Sequence, residues 1–161
     1  MSKGKLIVVL HNVSSISLCR DFVRTALGLG ARDIVFTKAS GSAAMSGVPV
    51  AQKLAYSNGA NFLFLKDLPD AIELLQPSSV YLFIRRPFSN QTFDATTITQ
   101  SYLAGKTIFL VFGGSEPGLS KRDLDLGIPI YFSDYNDIGS IAELTLSLYL
   151  LRQEIQHSNN S

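Results

Sequence analysis

A single α/β domain with a mostly parallel sheet and helices on both faces is the fold class this sequence predicts, and three observations carry it. Runs rich in Val, Ile, Leu and Phe recur along the chain with helical segments between them. Those runs are continuously apolar rather than alternating, as strands covered on both faces are. The regular alternation of strand and helix in turn favours parallel pairing. The 161 residues suffice for one substantial core. We therefore place one domain over residues 1–156 and a loose polar tail, "HSNNS", over 157–161.

The first strand spans Lys5 to Leu10 and starts almost at the N-terminus, without a signal-peptide pattern. A helix follows, capped by Ser14, Ser15 or Ser17 and stopped near Gly28 or Gly30. Within it Leu18, Phe22, Ala26 and Leu29 recur at helical spacing and face the core. Asp33 to Thr37 is the second strand and Val48 to Ser57 the second helix, ended by "SNGAN". Asn61 to Leu65 and Asp67 to Gln76 repeat the pair, with "QPSS" as the stop, and Val80 to Ile84 followed by Asp94 to Ala104 repeats it again. Thr107 to Phe112 is the fifth strand. After it, Ser120 and Asp123 stand at the spacing of a capping box for a short helix, and Ile128 to Phe132 forms the sixth strand.

The last helix, about Ile138 to Gln156, is different in kind. Ile141, Ala142, Leu144, Leu146, Leu148, Tyr149, Leu150 and Leu151 surround most of its circumference. Packing on one side alone would leave apolar surface in water, so a loop, a neighbouring helix or a second copy of the chain must cover the other side.

Composition excludes several classes. One cysteine, Cys19, allows neither an internal disulfide nor a zinc cage and reads as a core residue. No apolar run reaches membrane-spanning length, and a cytoplasmic location is expected. Net charge is only +1, but residues 1–86 hold ten Lys/Arg against five Asp/Glu and residues 87–161 hold four against eight. That asymmetry permits an anionic partner. Arg20, Arg32, Lys38, Arg85 and Arg86 could grip phosphates, although sparse aromatic residues give no stacking platform. His11, ending the first strand beside Asn12, is a weak candidate for a general base, because a lone histidine is more often a structural hydrogen-bonding residue; His157 lies in the tail and invites no role.

Three loops should cluster beyond the carboxyl ends of the strands, where ligands bind in open α/β sheets: "RRPFSNQ", "GGSEPGLS" and "SDYNDIGS". The second lacks both the G-x-G-x-x-G order of a dinucleotide site and the lysine of a P-loop. Taken alone, "GGSEPGLS" is a Pro-Gly turn leading into a capped helix. The order of features across the C-terminal fifty residues points further. A strand, G-x-E-x-G-L-S, a charged segment, Ile128-Pro129-Ile130, an acidic loop and a long apolar helix follow one another.

That order resembles the C-terminal half of the SPOUT superfamily, the trefoil-knotted RNA methyltransferases that use S-adenosylmethionine. "GSEPGLS" is similar to the superfamily's second motif, "IPI" followed by "DIGSIAELTLSLYLL" to its third, and "FVRTALGLGARDIVF", Phe22 to Phe36, to its first. The resemblance implies a C-terminal deep knot, a homodimer packed through the last helix, S-adenosylmethionine as cofactor, and methyl transfer to tRNA or rRNA on a ribose 2′-oxygen or a base. It implies that Gly113, Gly114, Glu116 and Gly118 line the cofactor, that Ile128, Ile130 and Ile138 flank its adenine, and that Ile84 and Arg85 lie beside it by position. Arg24 would be the catalytic arginine; equally, it pairs with Asp21 on a solvated helix face. Arg20, Arg24, Arg32, Lys38 and Arg86 would hold RNA phosphates. Leu18 stands where the first motif has asparagine, and Asp137-Ile138-Gly139 where the third opens Ser-Leu-Asn. Two alternatives therefore stay open: a knotted protein that binds RNA or cofactor without transferring methyl, and another nucleotide-binding α/β domain.

Overall fold

The computed structural model describes residues 3–84, 91–115, 118–133 and 136–160. Six strands form one sheet in the order β3-β2-β1-β5-β4-β6: β1 (Lys5–Val13), β2 (Asp33–Ala39), β3 (Asn61–Leu65), β4 (Ser79–Phe83), β5 (Thr107–Gly113) and β6 (Ile128–Ile130). Every pairing is parallel, so the expected fold class is the observed one. Helices α1 (Ile16–Gly28), α2 (Val48–Ser57), α3 (Leu68–Leu75), α4 (Ala95–Leu103), α5 (Lys121–Leu124) and α6 (Gly139–Asn159) lie between and after the strands.

Alternation along each strand sends side chains to two different cores. Val8, Leu10, Ile34, Phe36, Leu110 and Phe112 join Phe22 of α1, Ala51 of α2, Ile98 of α4 and Leu144 of α6. On the other face Ile7, Val9, Val35, Phe109 and Val111 meet Leu68 and Ala71 of α3, with Leu124 of α5 packed alongside. The first face is thick and aromatic. Phe83 stacks on Phe112 with ring centroids 4.5 Å apart, and Phe22 meets Phe36 and Phe112 edge to face. The second face is covered by helices of only eight and four residues.

Several boundaries differ from expectation. β1 runs three residues past Leu10, because His11 and Val13 are themselves buried. A π-helical turn, Ala43–Gly47, precedes α2; there Gly47 lies so close to α1 that a β-carbon would stand 2.7 Å from Cys19 Sγ. α6 continues through Asn159, so the polar tail is mostly helix rather than loose. Its own domain covers one side of α6 through Ser140, Leu144, Ser147, Leu148 and Leu151, while Tyr149 and Leu150 stay exposed.

Candidate functional site

Among the described residues the strands bury two polar side chains, His11 and Thr37, and both lie on the second face. In register His11 of β1 lies between Thr37 of β2 and Gly113 of β5. Strand alternation continues Ile7, Val9 and His11 onto the face of the short helices, and at Gly113 the backbone of Gly118 and Leu119 packs where a side chain would stand. The imidazole is fully buried. Its Nδ1 stands 2.7 Å from Thr37 Oγ1, while its Nε2 lies 3.2 Å from Asp123 Oδ1 and 4.0 Å from Asp67 Oδ1.

Both acids are positioned by helix starts. Asp67 caps α3, its Oδ1 accepting the Leu68 amide at 2.8 Å. Asp123 belongs to the capping box of α5: Oδ2 accepts from the Ser120 amide at 2.9 Å and its hydroxyl at 2.8 Å, which leaves Oδ1 for His11. Carboxylates are favoured in first turns, where free amides and the helix dipole are positive. Burial holds the His11 pKa below its ordinary 6.5; Asp123 and then Asp67 oppose that shift, and Lys38 adds to it. Desolvation prevails, so the ring is neutral and the contact with Asp123 is not a charged pair. At 3.2 Å the Nε2–Oδ1 pair lies within hydrogen-bond distance, and a weak hydrogen bond to Asp123 also opposes the fall in pKa, but the two atoms are not well aligned for one.

The cluster sits at a topologically special point. The chain leaves β1 towards β2 on one side and leaves β5 towards β6 on the other, so the β1/β5 boundary is where the connections diverge, the usual crevice for ligands in such sheets. Directly after His11 and Thr37, Asn12 and Lys38 hold left-handed backbones with φ of 65° and 54°. Such strain clusters at functional sites. Around the cluster Lys38, Lys66, Lys121 and Arg122 are all exposed, and none forms a salt bridge among the described residues.

The glycine-rich loop after β5 closes against this same point. Gly114 N donates to His11 O at 2.8 Å and Ser115 Oγ to Asn12 O at 2.6 Å. A β-carbon on Gly114 would stand 2.9 Å from Val13 Cβ, and one on Gly113 would stand 3.0 Å from Gly118 Cα. The close approach that these glycines permit is made to the chain's own backbone.

A family model described as "RecB-family nuclease (DUF2122)" matches residues 41–150. The chain belongs to DUF2122. Two curated relatives agree: a candidate type II restriction enzyme, MjaORF1200P, of Methanocaldococcus jannaschii, 35% identical over 94% of this chain and 99% of its own, and another, ApeKORF2002P, of Aeropyrum pernix, 36% identical over 91% and 92%. Among solved structures, a probable methylase family protein of Haemophilus influenzae Rd KW20 superposes with a TM-score of 0.77 over 98% of this chain and 69% of its own, at 18% identity. At that identity the likeness is one of fold alone. For this DUF2122 member the expected SPOUT family, and with it the expected S-adenosylmethionine-dependent RNA methyltransferase activity, are overturned by the family match and the two relatives. A fold hosts many activities, and the motif glycines that suggested the SPOUT family have a packing role here.

The expected site residues fall in different places. Arg24, 72% exposed in its side chain, lies 3.4 Å from Asp21 on the surface of α1, as the solvated-face reading had it, with Arg20 3.9 Å from the same carboxylate. Arg32 precedes β2 beside Arg152 in a cavity of 540 Å³ at the amino edge. Lys38 lies near the carboxyl end of β2, and the strand between them places the two cations roughly 20 Å apart. Ile84 and Ile130 are buried and joined by a 2.9 Å backbone hydrogen bond; Ile128 is half-buried opposite Tyr81, and Ile138 holds the N-cap position of α6. Gly118 turns the loop with φ of 104°. Arg85, Arg86 and Glu116 lie outside the described residues. Sequence reasoning placed His11 at the rim and took Asp67 and Asp123 as helix starts only. Lys66-Asp67 follows β3 and Arg122-Asp123 lies in α5, but Arg20-Asp21 and Arg32-Asp33 show the same basic–acidic pairing, so the sequence carried no distinguishing signal for the cluster.

Proposed function

We propose that this chain hydrolyses phosphodiester bonds of nucleic acid at the His11, Asp67 and Asp123 cluster. The convergence of these three side chains at the β1/β5 crevice carries the reading, and membership of a family described as a nuclease supports it. Hydrolysis of a phosphodiester needs a water oriented in line with the leaving oxygen and relief of charge on the phosphate. Asp67 and Asp123 supply carboxylate oxygens to orient that water, and the exposed Lys38, Lys66, Lys121 and Arg122 supply cations for the flanking phosphates. The neutral, buried His11 fixes the geometry through Thr37. The test is cleavage of supercoiled plasmid and of labelled RNA by the full chain and by Asp123→Asn, which keeps the cap but loses the charge. We expect the variant to be slower by about a hundredfold or more; equal rates would remove the site from the reaction.

We infer also that a second copy of the chain covers the outer stripe of α6, where Ala142, Leu146, Tyr149 and Leu150 follow one another at helical spacing and Tyr149 is 52% exposed. Light scattering should give twice the chain mass, and Leu150→Glu should lower it to one; a wild-type monomer would contradict this.

A further inference from the structure

We propose that Nε2 of His11 and the carboxylates of Asp67 and Asp123 together hold one divalent transition-metal cation, Mn²⁺ or Zn²⁺. The inference rests on the hydrolytic reading of the same cluster and names the ion it uses. Helix capping accounts for both acids, but nothing in capping accounts for the histidine. Its Nε2 is a fully buried polar atom without an aligned hydrogen-bond partner, 3.2 Å from one carboxylate and 4.0 Å from another. A buried polar group left unpaired destabilises the fold, and a bound cation would satisfy this one.

The contact geometry distinguishes a shared ion from a donor–acceptor pair. Nε2 and Asp123 Oδ1 are 3.2 Å apart yet misaligned for hydrogen bonding. Ligands bound at about 2.1 Å to one cation lie roughly 3.0–3.5 Å from each other, with no need to point at one another. The three ligand atoms fall within 4.8 Å of one another. Asp67, the more exposed acid at 40%, swings inward to complete the set and leaves an open side for water. Partners of the outer atoms are in place as well. Thr37 holds Nδ1, and an Nδ1–H given to that hydroxyl keeps the Nε2 lone pair free; Ser120 holds Asp123 Oδ2. Such partners orient metal ligands. One nitrogen with two carboxylates selects Mn²⁺ or Zn²⁺ over Mg²⁺, which favours oxygen throughout. The cation's charge also balances the two carboxylates that meet at this point.

The full chain, freed of metal by chelator and dialysis, is titrated with Mn²⁺ under electron paramagnetic resonance and with Zn²⁺ by calorimetry. We expect one saturable site per chain, imidazole-nitrogen coupling on the bound Mn²⁺, and affinity about tenfold weaker or worse in Asp67→Asn, whose amide still caps α3. His11→Gln should lose the nitrogen coupling, with circular dichroism establishing that it folds. Absence of saturable binding below about 1 mM, or Mn²⁺ binding without nitrogen coupling and indifferent to Asp67→Asn, overturns the proposal. Coupled Mn²⁺ without cleavage of any polynucleotide upholds the metal site and defeats the hydrolytic reading; cleavage that persists in the chelated protein does the reverse.

Discussion

The two faces of the sheet are built from the same strands to different ends. One face carries Phe22, Phe36, Phe83 and Phe112 under four helices, and the buried polar residues on that side, Thr99, Ser140, Glu143 and Ser147, belong to α4 and α6 and not to the strands. The other carries the smaller core of Ile7, Val9, Val35 and Val111 under two short helices, and at its carboxyl edge it admits His11, Thr37 and two carboxylates. Stability is concentrated on the thick face. The thin face accepts a buried imidazole and strained backbones at Asn12 and Lys38, costs that the other face offsets.

The largest effect should come from breaking the thick face. Phe112→Ala removes a fully buried ring touching Phe22 and Phe83 and should cost about 3–5 kcal/mol in denaturant unfolding. Next comes the contrast across the sheet: His11→Gln should change unfolding by only about 1–2 kcal/mol while abolishing cleavage. A His11 variant as destabilised as Phe112→Ala would erase the distinction between the faces.

Smaller effects sharpen the same contrast. Asp94 caps α4 over the thick face, accepting from Thr97 Oγ1 at 2.7 Å. Hydrogen bonds from the Thr97 hydroxyl and amide hold its pKa below the ordinary 3.8. Its contribution is thus present above pH 3.8 and is lost as pH falls through the lower folded value. Asp94→Ala should cost about 0.5–1 kcal/mol at neutral pH, at the low end because the site is exposed and screened, and the difference from wild type should shrink under acid unfolding. Smallest is Cys19, whose thiol burial raises to about 11. Iodoacetamide at pH 8 should label it only at the rate of unfolding, and above about pH 9 the unfolded thiol ionises first, so the native state should lose a little stability there.

The thick face was legible in the sequence because burial there is a matter of periodicity: Phe22 and Ala26 fall at helical spacing, and the strands are unbroken apolar runs. The thin face was legible only in part. Ser120 and Asp123 at capping-box spacing correctly predicted α5, but the same spacing is silent about what the second oxygen of Asp123 faces. That contact joins residues 112 positions apart and depends on β1 and β5 becoming neighbours. His11 looked like a rim residue because β1 was expected to stop at Leu10; the strand continues since Gly113 and Gly114 let the loop close over it. Those glycines were read as an opening for a cofactor, when main-chain freedom serves a neighbouring strand equally well. Arg24 carries the same ambiguity: it stands on the surface beside Asp21, a contact that periodicity alone also predicts.

Cleavage assigned to one face is the most direct test. Plasmid and RNA hydrolysis should be followed in parallel for the wild-type chain, His11→Gln on the thin face and Phe132→Leu, which trims the aromatic cluster of the thick face near Phe83 and Phe93. The account predicts hydrolysis by the wild type and by Phe132→Leu and none by His11→Gln. Hydrolysis that survives His11→Gln, or a folded wild-type chain that cleaves neither substrate with any divalent cation supplied, would contradict it.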